Sequence, residues 1–158
     1  MSFAIRLATA ILFAGSVVAH AHSFIKGDIT VGHPWARATP EGADIGVGYV
    51  KITNAGKEVD RLTGGTFDGA AAVEIHEMKM DGDVMQMRQL KDGLEIPAGA
   101  TVELKPGSNH LMFKGLTKQI SAGPKLKGSF IFQKAGTVDV EFTIEPIGAD
   151  TSSDDKHE

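Results

Sequence analysis

Glu74-Ile75-His76-Glu77-Met78-Lys79-Met80-Asp81-Gly82-Asp83-Val84-Met85-Gln86-Met87 is the stretch on which the chain turns, because four of its six Met lie here. Asp81-Gly82 suits a two-residue type I′ turn, whose central residues both need positive φ. Folding about that turn makes a hairpin in which Met80 faces Asp83, Met78 faces Met85 and His76 faces Met87. Side chains alternate along a strand, so His76, Met78, Met85 and Met87 emerge together. Directly opposed Cβ atoms lie ~4.5–5.5 Å apart, within reach of a shared ion.

Asn109-His110-Leu111-Met112-Phe113 repeats the pattern. On a strand, His110 and Met112 share one face while Leu111 and Phe113 take the other. The two imidazoles and the thioethers of Met78, Met85, Met87 and Met112 form the pool of candidate metal ligands. Thioether is soft and selects Cu(I), and imidazole also suits copper, whereas Mg and Ca require oxygen. A structural zinc site would ordinarily use Cys, which is absent. A Met stripe alone more often fills a core. The two His at matching strand positions shift the balance toward a site, since buried His needs partners.

The rest of the chain sets the frame. Its 158 residues fit one domain with a sizeable core. Gly accounts for 19 of them, above the usual ~7%, which favours a turn-rich fold. The net charge of −4 invites no nucleic acid. Without Cys there are no disulfides, no thiolate catalysis and no blue-copper site. No Ser-His-Asp arrangement or phosphate loop suggests an enzyme.

Arg6, the apolar run Leu7 to Ala19, and Ala19-His20-Ala21 read as a signal peptide over residues 1–21. The run is too short to span a bilayer, so no membrane insertion is expected after cleavage. Cleavage would leave His20 or His22 near a free amine, a candidate second site for Cu(II). Residues 22–147 are expected to form the folded domain, and the acidic stretch 148–158 a disordered tail.

Short alternating segments recur across the domain. They include Val47 to Thr53, Arg61 to Phe67 with a bulge at Gly64-Gly65, Thr101 to Leu104, and a last hairpin. There a three-residue loop, Lys134-Ala135-Gly136, would set Phe132 opposite Val138 and Phe130 opposite Val140. His33 reads as a surface or structural residue and Trp35 as a core anchor. About eight or nine strands without an amphipathic helix predict an all-β, antiparallel β-sandwich.

The chain also resembles the periplasmic copper chaperones called PCu(A)C, from about Ile25 to Pro146. The resemblance rests on His33-Pro34-Trp35-Ala36-Arg37-Ala38-Thr39-Pro40, Glu74-Ile75-His76-Glu77-Met78, Met85-Gln86-Met87-Arg88 and His110-Leu111-Met112. That family spaces a His ten residues before a Met and then twenty-one before His-x-Met. Here ten residues separate His76 from Met87, and twenty-two separate Met87 from His110. The extra residue is expected in the loop Lys105 to Asn109, where insertions cost little.

The resemblance implies a cupredoxin-like Greek-key sandwich with an exposed Cu(I) site. Its ligands would be His76, Met87, His110 and Met112, with Met78, Met80 and Met85 as shielding around that set or as alternative sites. It further implies a monomeric, exported chaperone delivering copper to the CuA centre of cytochrome c oxidase subunit II, alongside Sco-type proteins. The alternative within the same chemistry is a protein that sequesters copper without a dedicated recipient. Outside it stand a copper enzyme, which Met-rich coordination disfavours, and a metal-free assembly sandwich.

Overall fold

The C-terminal strand shows how this sequence makes its core. In Gly136–Glu145, Val138, Val140, Phe142 and Ile144 are buried while Asp139 and Glu141 point outward, the period-two pattern of a strand with one face against a core. A computed structural model of the protein describes residues 23–152 and contains eleven strands among them. In chain order these are β1 (Ser23–Lys26), β2 (Ile29–Arg37), β3 (Ile45–Asn54), β4 (Asp60–Phe67), β5 (Ala72–Asp81), β6 (Val84–Gln89), β7 (Leu94–Ile96), β8 (Thr101–Leu104), β9 (His110–Lys114), β10 (Leu126–Phe132) and β11 (Gly136–Glu145). The described residues contain no helix. The expected signal peptide and the His20 and His22 site lie outside the described residues.

The strands run β6-β5-β9-β3-β2-β11-β10-β4-β7, with β1 added on β2 and β8 on β3. The path folds into two layers through β11, which pairs antiparallel with β10 and then, over Thr143 to Glu145, parallel with Trp35 to Arg37 of β2. That parallel seam departs from a purely antiparallel sandwich. Between the layers Phe67 of β4 stacks on Phe113 of β9 at 3.9 Å between ring centroids, and Phe142 meets both rings edge-on. Such aromatic pairs contribute about 0.5–1.5 kcal/mol each beyond the area they bury.

Two glycines serve close approach rather than turning. A Cβ on Gly48 of β3 would sit 2.5 Å from the Phe113 ring, and one on Gly65 of β4 would sit 2.2 Å from the Ser129 carbonyl oxygen. The bulge in β4 falls at Thr63, not at the expected Gly64-Gly65. Leu62 and Gly64 pair with consecutive residues of β10, and Thr63 Oγ1 donates to the Ile131 carbonyl at 3.0 Å. Trp35 is buried as expected, its ring tilted against that of Tyr49 with centroids 4.4 Å apart. His33 sits at a break in the β2–β3 register with a φ of 49°, a left-handed conformation in which His is enriched.

The last hairpin turns one residue earlier than expected. Its loop is Gln133-Lys134-Ala135, so Phe132 faces Gly136 and Phe130 faces Val138. The apolar residues still share a face because the partner moves by two positions. Asp60 fixes this loop from β4, accepting hydrogen bonds from the backbone N–H groups of Arg61 (2.7 Å), Lys134 (2.8 Å) and Ala135 (2.9 Å). Burial opposes ionisation of Asp60, but those three donors outweigh it and lower its pKa. The expected disordered tail is held at its beginning. Arg37 donates to the Ala149 carbonyl at 2.7 Å and pairs with Asp150, and Ser152 is buried. Residues 153–158 lie outside the described residues.

Candidate functional site

Three neighbouring strands present one chemically distinct face. In β5, Val73 and Ile75 turn toward the core, so Glu74, His76, Met78 and Met80 take the other side. In β9, Leu111 and Phe113 are buried in the core and His110 and Met112 lie opposite. Pairing aligns the two strands, placing His76 against His110 and Glu74 against Met112. The ring centroids of His76 and His110 are 5.8 Å apart.

The β5–β6 hairpin differs from expectation in its turn. Gly82-Asp83, not Asp81-Gly82, occupies the two central positions, and among the described non-glycine residues only His33 has positive φ. Gly82, at φ 63°, therefore stands first in a turn whose second residue needs no positive φ, as in type II′. His76 consequently faces Gln89 rather than Met87, while Met78 faces Met87 and Met80 faces Met85. One gain of this register is that Glu77 lies opposite Arg88, with which it forms an ion pair. A shift of two keeps every Met on the His face.

The four expected ligands thus share a face but not a row. His76 and His110 are directly opposed. Met112 lies two residues along β9 from His110, diagonal to His76, and Met87 is diagonal to His76 on its other flank. Diagonal neighbours are ~7–8 Å apart at the backbone, within reach of long side chains. The exposed site of the expectation is also only half present. His76 and His110 are 8% and 7% exposed, whereas Met87 is 51% exposed.

Each imidazole has one nitrogen engaged and one bare. His76 Nε2 lies 2.9 Å from Glu74 Oε2, and a carboxylate can only accept, so Nε2 carries the proton. His76 Nδ1 is buried and has no hydrogen-bond partner among the described residues. His110 Nδ1 donates to the Ser108 carbonyl at 3.1 Å, which leaves the Nε2 lone pair unprotonated. Burial lowers the pKa of His110, with the charge of His76 adding to the effect and the Ser108 hydrogen bond acting against it. Holding an imidazole through its second nitrogen is how proteins fix the tautomer of a metal-binding His.

Glu74 carries no role in the sequence-based reading, yet it orients His76 and also accepts from Lys114 at 3.1 Å. The hydrogen bond from His76, then that from Lys114, lowers its pKa. Its place two residues before His76, on the same face, is the signal that could have marked it. The Ser108 carbonyl belongs to the backbone and left no such signal. Ser108 lies in the loop between β8 and β9, closed by hydrogen bonds from Lys105 N to the Asn109 carbonyl and from Ser108 N to the Lys105 carbonyl. Among the described residues no three His, Cys, Asp or Glu side chains form a metal-holding group.

The two-layer, cupredoxin-like all-β fold is shared with solved PCuAC domains. The solved “Copper-bound PCuAC domain from PmoF2” superposes with a TM-score of 0.68 at 26% identity, covering 79% of this chain and 98% of that one. The “apo PmoF2 PCuAC domain” gives 0.69 at 24% identity, over 83% and 100%. The chain belongs to the LpqE-like family, whose description, “Putative lipoprotein LpqE-like”, matches residues 29–144. A relative from Leifsonia xyli subsp. xyli (strain CTCB07), “Putative lipoprotein Lxx21020”, is 30% identical over 117 residues, spanning 74% of this chain and 69% of the relative.

Proposed function

We propose that this protein is an exported copper chaperone that carries Cu(I) on His76, Met87, His110 and Met112. The observation that carries this reading is the opposed pair of imidazoles. Each is held through one nitrogen by Glu74 or the Ser108 carbonyl, and each keeps the other nitrogen bare on a face shared with thioethers. The copper-bound PmoF2 domain of the same fold and the lipoprotein name of the Leifsonia relative support copper as cargo and export as the route. A periplasmic location accords with a ligand set free of oxidisable thiols.

Chemistry gives the direction of transfer. Neutral thioethers hold Cu(I) less tightly than thiolates, so passage to a Cys-containing acceptor such as the CuA centre of oxidase subunit II runs downhill. Met87 is the open side from which acceptor ligands would enter. The protein is a carrier in this scheme, not a catalyst, and a Sco-type protein is a candidate companion.

Competition with a Cu(I) chelator tests the site. His76→Ala and His110→Ala should each lose more than about a hundredfold in affinity, beyond what loss of an outer-shell partner produces. Unchanged affinity in both variants overturns the assignment. Because the His110 pKa is lowered, proton competition there sets in only as pH falls below the ordinary imidazole value of 6.5. Transfer to apo-subunit II separates a chaperone from a copper-sequestering protein.

A further inference from the structure

The β5–β6 hairpin continues past the His pair, and nothing assigned so far uses its end. Every residue from Lys79 to Gln89 is exposed, including Met80 (54%), Met85 (48%) and Met87 (51%). Methionine earns its usual place by filling gaps in a core, and these side chains have no core to fill. The charged residues lie on the reverse face and brace the hairpin. Glu77 pairs with Arg88, and Gln86 donates to Asp81 at 3.0 Å. The sulfur-bearing face is left with two directly opposed pairs, Met78 with Met87 and Met80 with Met85.

Opposed Cβ atoms ~4.5–5.5 Å apart allow two flexible thioethers to close on one ion between them. Neutral sulfur donors in two rows that carry no carboxylate select a soft monovalent cation and reject Mg and Ca. The pairs also form a continuous line. Met80 and Met85 stand outermost, Met78 and Met87 follow, and the next row holds His76 with His110 beyond it.

We propose that the hairpin tip is a second Cu(I) site, in which Met80 and Met85 hold the ion and Met78 lies next in line toward the His pair. The tip is an outer station, weaker than the imidazole site and open to solvent, through which copper enters or leaves. The identification of Cu(I) as the cargo rests on the reading above, but the presence of a soft-metal site at the tip does not.

The test uses Ag(I), a redox-silent soft cation, followed by the methyl resonances of [methyl-13C]methionine protein, together with Cu(I) chelator competition. In the unaltered protein the Met80 and Met85 methyls should shift during a second equivalent of Ag(I), after those of Met87 and Met112. Met80→Leu/Met85→Leu should lower the stoichiometry from two to one and leave the tighter affinity intact. His76→Ala/His110→Ala should lose the tighter site and keep the Met80 and Met85 shifts. Methyls at Met80 and Met85 that stay unmoved, or full stoichiometry in Met80→Leu/Met85→Leu, would overturn the tip site. If instead the His double variant binds as tightly as the unaltered protein, the primary assignment fails while the tip stands.

Discussion

Hairpins β5–β6 and β10–β11 are built alike and used in opposite ways. Each has a glycine of positive φ at its turn, Gly82 inside the two-residue loop and Gly136 directly after the three-residue one, and each alternates its side chains. In β10–β11 the uniform face of Phe130, Phe132, Val138, Val140 and Phe142 is pressed into the space between layers. In β5–β6 the uniform face of Met78, Met80, Met85 and Met87 projects beyond it. The first hairpin spends its pattern on folding and the second on ligands. Damage to one should therefore be read in stability, and damage to the other in binding.

The largest break in that division should come from Phe142→Ala. Phe142 is 1% exposed and touches Phe67, Phe113 and Phe130. Its loss should cost about 3–5 kcal/mol in denaturant unfolding. A cost below 1 kcal/mol would show that the core does not depend on this ring.

Asp60→Ala tests the loop that holds β10–β11 in place. Three backbone N–H groups lose their acceptor, for about 1–3 kcal/mol. The pH dependence has a definite sign. The folded pKa of Asp60 is lowered from 3.8, so as pH falls the unfolded chain takes up the proton first. Its contribution is complete above the unfolded value and is lost as pH drops through the folded one. Thermal unfolding of the unaltered protein and the variant should therefore converge at acid pH, and a constant gap would contradict this account.

The smallest of these effects belongs to the other hairpin. Glu74→Gln keeps an acceptor for His76 and should weaken Cu(I) by about tenfold, while Glu74→Ala should approach a hundredfold. Neither should move the unfolding midpoint as Phe142→Ala does. A loss of stability without a loss of affinity would reassign Glu74 to folding.

The same contrast explains what could be read from the amino acids. Period-two alternation fixes which side of a strand a residue occupies, so the His and Met face and the Phe and Val face were both legible. Which residues stand opposite one another depends on which two or three residues make the turn. Asp81-Gly82 and Gly82-Asp83 are nearly equivalent as sequence signals, and only one of the two registers sets Glu77 directly opposite Arg88. In the core hairpin the slip hardly matters, because any neighbour on the face is apolar. At the site it matters a great deal, since it pairs Met87 with Met78 instead of His76. The clasp of Arg37 on Ala149 and Asp150 joins distant parts of the chain, and an acidic terminal stretch gave no local sign of it.

Strand β11 is shared by both layers, and it is the last strand in chain order among the described residues. Until Thr143 to Glu145 lie beside Trp35 to Arg37, the two sheets have no hydrogen-bonded seam, and that pairing joins residues far apart in sequence, the slow kind. The two layers of this design therefore set against each other only when β11 docks.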